Sequence, residues 1–176
     1  MGRQSVVPET VERLMITQEK LQSLLRYDAD TGTFEWKEMR SGIKNFPIAG
    51  SIHKTYGYLV ICIDQKRYQA HRLAWLYVNG VTPPDLIDHI DGNRLNNCIV
   101  NLRLATMSEN LQNRKGPAAN NKLGFIGASF DKRDSRWTAW IKANGKSRYL
   151  GRYATGEEAS QVYLMAKREL HPFNTL

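Results

Sequence analysis

Residues 86–110 constrain this chain more than any other stretch. Leu86-Ile87-Asp88-His89-Ile90 is a short β-prone run, and Asp91-Gly92-Asn93 ends it with a turn signal. Asn96 and Asn97 extend a polar loop, and Asn101-Leu102-Arg103 follow. Thr106 with Glu109 three residues later forms a capping box, which predicts a helix starting near Met107 with Asn110 in its first turn. Asn113 and Arg114 then fall on the same helix face as Asn110. A strand, a polar loop and a helix are thus packed into one short segment.

The residue types in that segment carry chemistry. A carboxylate beside an imidazole, with carboxamides downstream, combines hard oxygen donors for Mg²⁺ or a similar cation with a histidine that can deprotonate water. In a regular strand Asp88 and His89 point to opposite faces, so they serve one site only where the strand twists or ends. Taken singly, each residue has a plainer reading. Asp91-Gly92-Asn93 is a turn, Asp88 a solvated carboxylate, Asn101 a cap, Asn110 a surface residue and His89 a core histidine. His71, between Tyr68 and Trp75, is the competing imidazole and reads as a packed histidine at the start of an amphipathic helix. His53 and His171 have no acidic company at short range.

The order His89, Asn101, Asn110 resembles the HNH endonuclease motif in the variant that ends in Asn. The words HRLAWLYVNG, IDHIDGNRLNN and NLRLAT are similar to those of phage and intron-encoded homing endonucleases. The resemblance covers about residues 34–114 and implies a ββα-metal unit. It implies His89 as general base, Asp88 and Asn110 as ligands of one divalent cation, Mg²⁺ or alternatively Mn²⁺, and Asn101 as a brace for the loop that carries the histidine.

Composition bounds the rest. A chain of 176 residues with 41% hydrophobic and 24% charged residues can bury a core in one or two small domains. The two cysteines, Cys62 and Cys98, form no Cys-x-x-Cys, so no thiolate zinc site is expected. No secretory signal or long apolar run is visible, so a soluble intracellular protein away from membranes is expected, and the resemblance implies action in the cytoplasm of a host cell. The formal net charge of +8 is uneven. After Asn113 there are 12 Lys and Arg against 5 Asp and Glu, from totals of 25 and 17. That asymmetry suggests a nucleic-acid-binding module joined to a nearly neutral one, with a solvated basic face as the plainer alternative.

The Gly-, Pro- and Asn-rich run over 114–122 marks the boundary, and its Lys115 and Lys122 can lie along phosphates. Beyond it, residues 124–130, 136–142 and 147–153 read as three strands, with Asn144-Gly145 a hairpin signal between the last two. Thr155 with Glu158 caps a helix whose apolar positions are Ala159, Val162, Tyr163 and Ala166. Alternation puts Trp137, Ala139 and Ile141 on the helix-covered face. Arg136, Thr138, Trp140 and Lys142 fall on the other, an aromatic among cations suited to DNA.

This part, about residues 121–174 with the word GFIGASFDKRDSRWTAWIKANGKSRYLGRYATGEEASQVY, resembles the Apetala-two / ethylene-response-factor DNA-binding domain. The resemblance implies a sheet inserted in the major groove, with Ser129, Asp131, Trp140, Lys142, Ser147 and Tyr149 facing DNA. Ser129 and Asp131 stand where plant members usually have Arg, so no target sequence carries over. Arg133, Arg136, Lys146, Arg148 and Arg152 are expected phosphate contacts.

The first third reads as a flexible start over 1–16, a helix over 17–27 with Leu21, Leu24 and Leu25 as its apolar side, a polar loop over 39–46 holding Arg40 and Lys44, and strands over 50–53, 58–63 and 67–70. The whole predicts an α+β endonuclease: a nuclease module over 17–113, a linker over 114–122 and a sheet module over 123–176. Double-stranded DNA is the expected partner, with a monomer as the default and a dimer as the route to double-strand cutting. The rivals are a DNA-binding regulator without activity and a structural phage protein.

Overall fold

The computed structural model describes residues 16–39, 46–117, 121 and 123–175. The expectations for the N-terminal start over 1–15, for Arg40 and Lys44, and for Lys122 lie outside them. The fold is α+β, with several small antiparallel sheets. The chain divides into two compact units. One comprises the described residues up to His89 with Asn93–Leu104, and the other Ile90–Gly92 with the described residues from Ala105 on. No helix among the described residues is long and apolar enough to cross a membrane.

In the first unit, helix α1 (Gln18–Leu24) starts at Thr17, whose side chain accepts from the Lys20 N–H. The helix expected over 17–27 stops three residues early. Leu25–Asp28 is instead strand β1, paired with β2 (Thr33–Trp36). The apolar spacing of Leu21, Leu24 and Leu25 fits a helix, but Leu25 and Tyr27 also alternate inward as a strand, and pairing with Phe34 and Trp36 decides the matter. Strands β3 (Ser51–Ile52), β4 (Leu59–Ile63) and β5 (Lys66–Gln69) form a second sheet in that order. Helix α2 (Ala70–Asn79) follows and ends at Gly80 in the left-handed region. Leu21, Leu25, Phe34, Ile61 and Leu73 make the centre of one apolar core, each contributing about 1.5–3 kcal/mol by burial.

That core supports a third sheet of two strands, β6 (Leu86–His89) and β7 (Leu102–Ala105). The loop between them closes with a 3₁₀ turn, Ile99–Asn101. It is pressed against the β1–β2 turn. Gly32 has φ +70°, and a Cβ there would lie 2.4 Å from the backbone of both Asn97 and Cys98. Only glycine fits, on both conformational and steric grounds.

In the second unit, helix α3 (Met107–Gln112) carries the predicted capping box in full, Thr106 and Glu109 each satisfying the other's backbone N–H. Strands β8 (Ala128–Asp131), β9 (Arg136–Ala143) and β10 (Lys146–Tyr153) form the expected sheet with β9 central. The first strand begins at Ala128, not near Gly124. Residues 124–127 include a turn with Gly124 and Gly127 at positive φ, a conformation a strand cannot hold. Asn144 and Gly145 both have positive φ, as a two-residue hairpin requires. Helix α4 (Gly156–Leu170), with the second capping box, covers the face that presents Ala139, Ile141 and Ala143.

Gly32→Ala should cost about 2–5 kcal/mol, from the left-handed backbone and the forced displacement of Asn97 and Cys98. Chemical denaturation of the variant measures it. A loss below about 1 kcal/mol, the ordinary cost of a mild backbone change, would show that the contact is not tight.

Candidate active site

Strand β6 ends at His89, and Ile87, Asp88 and His89 are all buried. The strand's burial is therefore not the alternation of a half-exposed strand. Asp88 and His89 go to different partners. Across the β6–β7 pair, Arg103 donates from both Nε and Nη2 to Asp88 Oδ2, at 2.9 and 2.8 Å. A buried carboxylate is costly without such a partner, and losing one member of a buried pair costs about 3–5 kcal/mol.

His89 is held on the other side by Asn97, which is only 1% exposed. Asn97 Nδ2 donates to the Leu95 carbonyl at 3.1 Å, so its Oδ1 points the opposite way. His89 Nε2 lies 3.3 Å from that Oδ1. A carboxamide oxygen only accepts, so hydrogen-bond logic puts the imidazole proton on Nε2 and the basic lone pair on Nδ1. The Asn97 main chain makes a separate contact, its carbonyl accepting from the Tyr27 hydroxyl at 2.6 Å. Burial pushes the Tyr27 phenol well above its ordinary range, so it stays a donor.

Asn101, at the end of the 3₁₀ turn, is buried and donates from Nδ2 to the Asn96 carbonyl at 2.8 Å. It ties the start of β7 to the loop after His89. Asn110 lies half-buried in the first turn of α3, in the second unit, where its N–H donates to the Thr106 carbonyl. Within that unit, Asn113 caps α3, and its Nδ2 donates to the Ile90 carbonyl at 3.2 Å. Thr175 Oγ1 reaches the same carbonyl at 2.9 Å and Asn113 Oδ1 at 2.7 Å. Lys167, buried, donates to the Arg114 carbonyl.

His71 is the packed histidine the sequence suggests. Its ring meets His89 edge-on at 5.0 Å and Tyr58 at 5.1 Å. Burial first, then the nearby His89 and Arg72, lower its pKa to about 3. It is therefore uncharged at neutral pH.

The basic residues of the second unit separate by strand register. Tyr149 pairs with Trp140 and Ser147 with Lys142, while Arg152 pairs with Thr138 and Arg136 with Asp131. Cross-strand partners share a face, so Arg136, Trp140, Lys142, Tyr149 and Arg152 lie on the face away from α4. Trp140 and Tyr149 are half-exposed, with ring centroids 4.9 Å apart. Lys146 and Arg148 pair with Ala143 and Ile141 and so belong to the helix side, although both are exposed at the edge strand. Arg133 sits in the β8–β9 turn. Arg152 is bonded to Asp134 at 2.6 Å, and Lys115 donates to the Asp91 carbonyl at 2.8 Å.

Asn97, Arg103 and Tyr27 are the residues that sequence reasoning did not assign. Asn97 stood inside the motif as a loop residue, so its position was visible but its partner was not. Arg103 lies between Leu102 and Leu104, which gives no hint that it reaches Asp88.

His71 makes acid stability measurable. Its folded pKa lies below the unfolded value of 6.5, so between that value and about 3 the unfolded chain binds a proton that the folded chain refuses. Stability is present above 6.5 and should fall on acidification at up to about 1.4 kcal/mol per pH unit from this group. Urea titrations at several pH values should show this slope, and His71→Leu should flatten it. Equal slopes in both proteins would exclude His71 as the cause.

The HNH endonuclease family model matches residues 68–112, from the end of β5 through α3. Protein 3.8 of Escherichia phage T7 is 37% identical over 107 residues, 60% of this chain and 87% of that protein. An uncharacterized HNH endonuclease of Acanthamoeba polyphaga mimivirus is 34% identical over 112 residues, 62% of this chain and 57% of that protein. No solved structure matches. With a buried Asp-His pair at a strand end inside the matched segment, the chain belongs to the same family as the phage T7 protein and carries an HNH endonuclease domain.

Proposed function

We propose that this chain is a metal-dependent endonuclease that hydrolyses phosphodiester bonds in double-stranded DNA, leaving 5′-phosphate and 3′-hydroxyl ends. The observation that carries this reading is the bond between His89 Nε2 and Asn97 Oδ1, which leaves the basic lone pair on Nδ1. In this reading His89 Nδ1 takes a proton from water, and the water oxygen attacks phosphorus in line while the 3′ oxygen leaves. Asn101 braces the loop by its bond to the Asn96 carbonyl.

Asp88 and Asn110 are the residues that would hold a divalent cation. A carboxylate and a carboxamide are hard oxygen donors, which fit Mg²⁺ or Mn²⁺ and suit a thiolate-binding metal poorly. Among the described residues no three His, Cys, Asp or Glu side chains cluster as a metal site. A cation with few protein ligands matches Mg²⁺, which keeps several waters and takes phosphate oxygens. When bound, such a cation supplies charge that stabilises the developing negative charge at the phosphate. Arg103 holds the Asp88 carboxylate in one orientation.

The second unit supplies DNA affinity in this proposal, in the manner of the ethylene-response-factor domain it resembles. Trp140 and Tyr149 stand as an aromatic pair among Arg136, Lys142 and Arg152 on the open face of the sheet. Cations along phosphates make such binding salt-dependent. Lys115, Arg133, Lys146 and Arg148 are further phosphate contacts at the rim.

Nicking of supercoiled DNA with and without Mg²⁺ tests the activity, and separates an enzyme from a silent DNA-binding regulator. His89→Ala should leave DNA affinity nearly unchanged and lower cleavage by roughly 10²–10⁴-fold, the usual worth of a positioned general base. Cleavage at the wild-type rate would remove His89 from the mechanism. Asp88→Ala should raise the Mg²⁺ concentration needed for cleavage more than Asn110→Ala does, since a charged ligand contributes more than a neutral one. Identical Mg²⁺ titrations for both variants and wild type would remove the pair as ligands. Trp140→Ala should weaken binding to duplex DNA, measured by fluorescence anisotropy, and unchanged affinity would exclude the open sheet face as the anchor.

A further inference from the structure

The loop after His89 carries a cation that the proposed mechanism leaves unused. Arg94 is exposed, yet its guanidinium is held in place twice. Its central carbon sits 4.9 Å above the Tyr58 ring centroid, and its Nη1 donates to the Tyr56 carbonyl at 2.8 Å. The Tyr58 ring is itself 6.0 Å from the ring of His89. One aromatic ring thus links Arg94 to the candidate base. No carboxylate pairs with Arg94 among the described residues, whereas the guanidinium of Arg103 is committed to Asp88.

The surroundings have the same character. Tyr56 is 61% exposed and stacks on His53 at 4.9 Å, and Lys54 is exposed on the same hairpin. Cations interleaved with aromatics are the usual make-up of a nucleic-acid surface. A guanidinium stacked on a ring and fixed by one hydrogen bond has lost its rotamer freedom in advance, while its other N–H groups keep the fork geometry that fits phosphate.

We propose that Arg94 is a positioning residue that binds a backbone phosphate of the substrate DNA beside the one cut, with Tyr58 as its support. The inference rests on the reading of DNA as substrate. It explains why an exposed cation is immobilised next to the catalytic loop without a carboxylate partner among the described residues.

The test is binding of a labelled duplex by fluorescence anisotropy over a salt series, without divalent cation, using the full chain and its Arg94→Gln and Arg94→Lys variants. Melting curves establish that both variants are folded. Loss of one phosphate contact should lower the slope of log affinity against log salt by about 1 in Arg94→Gln, on any duplex sequence. Arg94→Lys should keep the slope, because the charge remains. A slope in Arg94→Gln equal to wild type would overturn the proposal and leave Arg94 as a staple between the loop and the hairpin. Failure of the wild-type protein to bind DNA at all is a different result: it would overturn the proposed function, and this inference with it.

Discussion

Asn97 is the residue on which the candidate site depends. Its backbone carbonyl takes the Tyr27 hydroxyl, and its side chain lies between the Leu95 carbonyl and His89. The two roles are separable, since one uses the main chain and the other the carboxamide. The first anchors the loop to the apolar core, where Tyr27 packs on Phe34. The second sets which imidazole nitrogen keeps its lone pair. A buried amide that bonds at both ends has no freedom to flip, and unmet bonds in a dry interior are costly. The loop is polar in sequence, yet the carbonyl and the side chain of Asn97 are both bonded inside the protein.

Asp88 obeys the same logic with charge in place of dipoles. A carboxylate buried at the end of a strand is held by the two N–H groups of Arg103 from the adjoining strand. The pair restrains the carboxylate's rotamer. His71 is the contrasting case. It touches His89 but is kept neutral by burial, so it packs against the site without adding charge. Two histidines in contact thus have different roles because one has a polar partner at its ring nitrogen and the other is buried among rings.

Several features were legible from residue order alone. The two capping boxes, at Thr106 with Glu109 and at Thr155 with Glu158, are local contacts three residues apart, so sequence spacing is enough to place them. The Asn144-Gly145 turn is likewise local, because positive φ at both residues selects those residue types. The helix-covered face of β9 follows from period-two alternation. Leu25 and the 124–127 stretch misled because apolar content alone does not choose between helix, strand and turn. Strand pairing with Trp36 settles the first, and positive φ at Gly124 and Gly127 the second.

The sequence by itself determined the order of chemical groups: a carboxylate, an imidazole, a turn and two carboxamides, Asn101 and Asn110, at spacings that resemble the HNH motif. It also determined where the positive charge gathers, since charge is a property of composition. Tertiary structure alone decided the partners. Arg103 meets Asp88 across 15 residues, Asn97 meets His89 across 8, Arg94 lies over Tyr58, and Tyr27 meets Asn97 across 70. These contacts depend on strand pairing and on the close approach allowed by Gly32, which no local propensity encodes. Residue type sets what a side chain can do, and the packed fold sets which neighbour it does it with.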